Sequence, residues 1–219
     1  MTLKLTPRMV PSPLWGVALR TDLGSRWLPE VSRPIREYQS LCEICGGYGA
    51  DSPTGWRTCC DEDWDYSDAD PIVEEVLRIL GDTFDVAGVT ALVTPVNVLN
   101  IASRLGSAPF VARLVDLQCV CWRCNQVIHY GHTETLNKGS DWLATRAARA
   151  HAARVNKVSD ERVAKIIYGA KVIWAIRSCL PWSIEWTGWE RIRNVKAGRG
   201  RRRADPGALP AASFQFGAE

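Results

Sequence analysis

The sequence predicts an α+β protein, and three features predict it. Two widely separated Cys-x-x-Cys pairs, Cys42/Cys45 and Cys121/Cys124, mark a metal knuckle; aromatic-studded runs of strand character lie beside them; the C-terminal third carries long stretches of helical periodicity. At 219 residues the chain is long enough for one well-buried domain with an insert and a tail.

Taken in order, residues 1–13 read as a flexible, proline-marked leader. Residues 14–40 read as a short extended piece followed by a broken helix, because Pro29 and Pro34 each remove a backbone donor. LCEICGGYGADSPTGW predicts a tight turn built on Gly46, Gly47 and Gly49, and WRTCCDEDWDY (56–66) predicts a strand carrying Trp56, Trp64 and Tyr66. Between Pro71 and Asp116, PIVEEVLRIL has helical spacing, VAGVTALVTPVNVL reads as strand, and NIASRLGSAPFVARLVDL reads as helix. LQCVCWRCNQVIHYGHT predicts a strand leading into a knuckle and a helix. Residues 140–156 form an alanine-rich helix capped by Ser140 or Asp141, and a second helix starts at an N-cap Ser159 and stops before Pro181. From 194 the chain is Gly/Arg-rich, then Pro/Ala-rich, a composition that predicts a basic, disordered tail.

Composition narrows the functional classes. No run approaches the roughly 18–20 continuous apolar residues that a membrane helix requires, so no membrane partner is expected. The opening residues MTLKLTPRMVPSPLWG lack the apolar core and small-residue cleavage site of a signal peptide. Eight cysteines without an export signal read as metal ligands and spare thiols rather than a disulfide framework, and a cytoplasmic protein is expected. The net charge of +3 is too mild to indicate nucleic acid, but its distribution is uneven. Asp61, Glu62, Asp63, Asp65, Asp68 and Asp70 crowd one segment, while Arg191, Arg193, Lys196, Arg199, Arg201, Arg202 and Arg203 crowd another that contains no acid. The basic run is a candidate phosphate-backbone contact; the acidic run reads as a solvated loop.

A Cys-x-x-Cys turn brings two thiolates to one tetrahedral ion, and two such turns complete a four-cysteine structural zinc site. Cys119 competes with Cys121 for the third ligand position; Cys121 is favoured because it alone stands two residues before Cys124. Cys59, Cys60 and Cys179 read as small core residues, and His132 and His151 as ordinary polar side chains.

The runs PLWGVALR…WLPEVSRPIREYQSLCEICGG, CCDEDWDY and LQCVCWRCNQVIHYGHT, in that order, resemble small bacterial and phage zinc-knuckle proteins of the HNH endonuclease type. The pattern of that family is a CxxCG knuckle, a Cys-His-Glu-x-Trp-x-Tyr strand and a CxxCHxxxxH segment. Residues 147–186 resemble its helical C-terminal part, which closes with a tryptophan-rich strand. The resemblance spans Pro13 to Trp189 around an insert at 69–116, and implies a ββα-metal core formed by residues 40–66 and 117–135, within an N-terminal part 14–68 and a part 117–193 whose C-terminal helices pack around it. It also implies a host-cytoplasmic location if the gene is carried by a phage.

The family's activity, metal-dependent hydrolysis of DNA phosphodiesters, is accordingly the function the resemblance implies. Asn125 and His129 fall at the two helix positions that hold Mg²⁺ or another divalent ion, and Asp61 falls where the family has its water-activating histidine. A carboxylate of pKa ~4 is a weaker base than an imidazole of ~6.5, and loss of a positioned base costs about 10²–10⁴-fold in rate. The alternative is therefore a catalytically inactive zinc module that binds nucleic acid through its basic tail, or an adaptor that meets a protein partner through the 69–116 insert.

Overall fold

A computed structural model of the chain describes residues 3–14, 22–38, 41–47, 58–81, 86–107, 109–131, 133, 142–186 and 188–203. Among the described residues the fold is α+β, with eight α-helices and one three-stranded sheet. In chain order these are α1 (Arg33–Tyr38), β1 (Thr58–Asp65), α2 (Asp70–Leu80), α3 (Val86–Leu92), α4 (Pro95–Arg104), β2 (Phe110–Cys121), α5 (Trp122–Ile128), α6 (Trp142–Asn156), α7 (Asp160–Ser178), β3 (Trp182–Glu185) and α8 (Trp189–Arg203). β2 is central; β1 pairs with it antiparallel and β3 parallel.

The β1–β2 register explains how one sheet serves two cores. Cys60 stands opposite Cys119, Asp61 opposite Gln118 and Asp63 opposite Asp116; a bulge then intervenes, so that Trp64 faces Leu114 and Val115 is the extra residue. The bulge reverses the parity of β2. Ala112 and Leu114 before it and Leu117 and Cys119 after it are all buried, although a regular strand would turn the first two and the last two to opposite faces.

One face, with Cys60, Leu114, Leu117 and Cys119, packs against Trp27, Val31 and Ile35 of the helical segment 24–38 and against Trp189 of α8. Trp27, Val31 and Ile35 recur every four residues and so share one helix face. The segment is broken as its prolines predict: 3₁₀ over Gly24–Arg26, a π-turn over Trp27–Ser32, then α1. Pro34 cannot donate to the Glu30 carbonyl one turn back, and that carbonyl accepts instead from Arg193 Nη1 of α8 at 3.1 Å.

The other face contributes Val120 to a core with Val127 and Ile128 of α5, Ala148 and Ala152 of α6 and Val163 and Ile167 of α7. Residues 3–13, part of the 1–13 expected to be a flexible leader, are tied across this region. Asn156 Oδ1 accepts from the amides of Lys4 (2.8 Å) and Leu5 (3.0 Å), Arg8 N donates to Ile128 O (2.9 Å), and Trp174 Nε1 donates to Val10 O (2.9 Å). Leu5 is buried among the apolar side chains of that core.

Two of the expected elements between β1 and β2 differ in type. The segment read as strand is helical, α3 and α4: Thr94 caps α4 by accepting from Asn97 N at 3.3 Å, Pro95 sits in the first turn, and Val98, Ile101 and Ala102 form its buried stripe. The segment read as helix runs helical only to Arg104; residues 110–116, assigned to the insert, are the first half of β2. Phe110, Leu114 and Leu117 are spaced four and three apart, as on a helix, because the bulge adds a residue to a two-residue period. The N-cap of the second C-terminal helix is Ser159, which accepts from Arg162 N at 3.3 Å. The basic segment is not irregular from 194 onward, since α8 continues to Arg203. Ser140, Asp141 and His132, and everything after 203, lie outside the described residues.

Candidate metal centre

The first knuckle closes on itself by local hydrogen bonds. Gly46 N donates to Cys42 O (2.9 Å), Cys42 N donates to Gly47 O (3.1 Å), and Gly47 N donates to Cys45 Sγ (3.4 Å). Gly46 has φ +70°, a left-handed conformation that a Cβ disfavours. The second knuckle straddles the β2–α5 junction: Cys121 ends the strand and caps the helix, its Sγ accepting from Cys124 N at 3.4 Å. Glu43 docks one knuckle on the other. Its amide donates to Cys119 O at 2.9 Å and its Oε1 accepts from Cys119 N at 3.0 Å.

These contacts bring Cys42, Cys45, Cys121 and Cys124 together, with their sulfur atoms all within 4.8 Å of one another. Cys45 Sγ and Cys121 Sγ are 3.8 Å apart, which is the edge of a tetrahedron with Zn–S bonds of about 2.3 Å. No thiol pair is close enough for a disulfide in this set, and all four are free. Sulfur atoms this close do not all ionise without a cation. Hydrogen bonds from the Cys121 and Cys124 thiols hold Cys42 well below the ordinary thiol range, while hydrogen bonding with Cys121 and Cys42 pushes Cys124 far above it. A divalent ion removes that conflict, so the donor set fits zinc.

Cys119, the competing ligand, lies outside the cluster. It faces the opposite core beside Cys60 and Leu117, and burial pushes its thiol up to about 11. Burial likewise pushes Cys59 up to about 12. Cys59 donates to Val120 O and Cys179 to Ala175 O, as packed, inert thiols do.

Beside the cluster, on the face of the sheet covered by α5, Asp61 meets His129. Asp61 is 7% exposed, and its Oδ1 lies 2.8 Å from His129 Nε2. His129 is the C-cap of α5, and its amide still closes the last turn on Asn125 O. Asn125 is half-buried on the same short helix. The carboxylates on this face are not all solvated: Asp63 accepts from Arg8 Nη1 (2.8 Å) and from Gln118 Nε2 (3.0 Å), and Arg8 also donates to Gln118 Oε1 (2.9 Å). Burial raises the Asp63 pKa against the pull of Arg8.

The predicted nucleic-acid residues separate. Lys196 is drawn inward to Glu43 (2.5 Å) and Asp116 (2.9 Å), and Arg193 is held by Glu30 O and stacks on Trp189 at 5.3 Å. Arg191 is exposed. The side chains of Arg199, Arg201, Arg202 and Arg203 lie outside the described residues.

His151, read from sequence as an ordinary polar residue, is 6% exposed with Nε2 3.2 Å from Cys124 Sγ. The signal was a histidine in line with the stripe Ala148, Ala152 and Val155 of an alanine-rich helix, where a buried polar group requires a partner.

The fold and the site together define an α+β protein with a four-cysteine cluster that can hold a metal ion such as zinc. No family model matches the chain, and neither a curated protein nor a solved structure matches it. No helix among the described residues is long and apolar enough to cross a membrane.

Proposed function

We propose that the protein is a zinc-stabilised, metal-dependent endonuclease of the HNH type that hydrolyses DNA phosphodiesters. The observation that carries this reading is the contact of Asp61 on β1 with His129 at the end of α5, in a strand–strand–helix unit whose helix starts from a metal knuckle. Asp61 Oδ1 and His129 Nε2, 2.8 Å apart, are donor atoms of the types that a divalent ion accepts, and both would be within reach of one such ion. A divalent ion there would neutralise charge developing on the scissile phosphate and lower the pKa of bound water. His129 and Asp61 would hold it, with Asn125 on the adjoining turn. Asp61 would then serve as a ligand and positioning carboxylate rather than as a base equal to an imidazole, which would make the activity attenuated.

A second reading, an inactive zinc module that binds nucleic acid or a protein partner, is favoured by the same replacement at Asp61. The sequestered Lys196 and Arg193 count against the start of the basic segment as its DNA contact. Exposed Val96, Leu99 and Leu105 on and after α4 are compatible with a protein partner.

Plasmid nicking with Mg²⁺, Mn²⁺ or Ni²⁺, by the wild type and by His129→Ala and Asp61→His, tests the proposal. Cleavage that is abolished by His129→Ala and accelerated by Asp61→His supports it. Cleavage only by Asp61→His identifies an inactive site on a competent scaffold, and no cleavage by any of them removes the nuclease reading.

A further inference from the structure

The buried His151 on α6 plays no part in the proposed hydrolysis, yet it is placed with care. Its two ring nitrogens meet different neighbours: Nδ1 lies 2.9 Å from Arg154 Nη2, and Nε2 lies 3.2 Å from Cys124 Sγ. A guanidinium carries only donors. Nδ1 must therefore be the acceptor of the Arg154 contact, because a proton on Nδ1 would point at another proton. The ring's proton is then on Nε2 and is directed at the sulfur. The sulfur in turn is the acceptor, a role in which a thiolate is much stronger than a thiol. Arg154, one turn along the same helix, thus sets the polarity of a chain that runs guanidinium to imidazole to sulfur.

We propose that His151 is an outer-sphere partner of the metal centre, donating an N–H···S hydrogen bond to the metal-bound Cys124 thiolate, with Arg154 fixing the tautomer. This rests on the four-cysteine metal reading and is independent of the nuclease reading. The bond withdraws electron density from one of four thiolates around a divalent ion, where the ligands' combined charge exceeds that of the metal. A thiolate so occupied is a poorer nucleophile, which suits a centre that holds a fold together rather than one that reacts. The bond also joins the knuckle to α6. Cys124 and Ala148 and Ala152 of that helix share one core, so metal occupancy and the seating of α6 are linked through His151.

Cobalt replaces zinc in tetrahedral thiolate sites and reports each sulfur through its thiolate-to-metal charge-transfer band, so the test uses the full chain loaded with Co²⁺. Wild type is compared with His151→Phe, which keeps bulk and removes the donor; with His151→Gln, whose amide N–H reaches a similar position; and with Arg154→Met, an exposed change that leaves the imidazole but releases its tautomer. Removing the hydrogen bond raises the energy of the sulfur lone pair. The expected result is a charge-transfer band displaced to longer wavelength in His151→Phe, metal affinity lower by about 10-fold and faster transfer to a chelator. The displacement should be smaller in Arg154→Met and largely reversed in His151→Gln. In the wild-type chain loaded with the spin-half cadmium isotope, the His151 Nε2 proton should show scalar coupling to the metal through Cys124 Sγ.

That spectrum needs no variant, so misfolding of His151→Phe cannot obscure the answer. A protonated Nδ1 with no coupling overturns the proposal, as does a band and release rate unchanged in both His151→Phe and Arg154→Met. A wild-type chain that binds neither ion overturns the metal reading itself, and this proposal with it.

Discussion

His129 Nε2 lies 2.8 Å from Asp61 Oδ1, joining the end of α5 to the middle of β1 across 68 residues of chain. The Asp61 side chain is 9% exposed against 35% for His129, so the contact is the carboxylate's own link between the sheet and the helix. Truncating His129 to alanine leaves a buried carboxylate without that donor. The expected cost is about 1–3 kcal/mol of unfolding free energy, read from urea denaturation of protein loaded with zinc alone, without Mg²⁺, Mn²⁺ or Ni²⁺. Asp61→Asn keeps the shape and an oxygen acceptor and should cost less. Equal stability of His129→Ala and wild type would mean the pair does not hold α5 to β1.

The cysteine cluster predicts metal content residue by residue. Wild type and Cys119→Ser should each retain one zinc per chain after dialysis, whereas Cys42→Ser and Cys121→Ser should lose it to a chelator. Free zinc at a hundred times its dissociation constant stabilises a native state by about 2.7 kcal/mol. For a chain of this length that corresponds to a melting temperature raised by roughly 5–10 °C over the chelated protein. Loss of zinc on replacing Cys119 would overturn the ligand assignment, because that thiol faces the opposite core.

The part of this site legible in the sequence was the part encoded by local spacing. Two-residue spacers placed all four cysteines, since each knuckle closes by bonds among near neighbours such as Gly46 N to Cys42 O. The prolines foretold the broken helix, and Ser159 the start of α7. What failed was periodicity across the bulge: one extra residue at Val115 made a strand look helical. Thr94–Pro95 is a helix-start signal, but it lies inside a run of β-branched residues that reads as strand. The contacts of His151 with Cys124 and of Lys196 with Glu43 depend on how distant helices are seated, and no spacing within 27 or 153 residues expresses them.

Gly46 tests the first knuckle in isolation. At φ +70° the residue occupies a left-handed conformation, and a Cβ added there meets nothing within 4 Å, so the penalty of Gly46→Ala is conformational rather than steric. It should amount to roughly 1–2 kcal/mol, seen as about 5–30-fold weaker zinc binding in a competition titration. Gly46→Asn should be milder, because asparagine tolerates this region. Identical affinity of the alanine variant and wild type would show that the knuckle closes by another geometry.

Lys196 carries a pH dependence whose sign can be worked out. Burial would lower its pKa, but hydrogen bonds to Glu43 and then Asp116 outweigh that and raise it above the ordinary value of 10.5. A cation with a raised folded-state pKa contributes stability that is fully present below the unfolded value and is lost as pH rises through the folded one. The contribution is structural: Lys196 ties α8 to Glu43 of the first knuckle and to Asp116 beside the bulge of β2. Lys196→Met should therefore destabilise the protein by about 1.5–3 kcal/mol near neutral pH, since it leaves two carboxylates facing an apolar tip. The gap from wild type should stay constant through the neutral range and narrow only as pH rises past 10.5. Urea midpoints measured for both proteins across that range check it; a gap that is absent at neutral pH, or that widens in alkali, would mean that Lys196 does not fasten α8 to the knuckle.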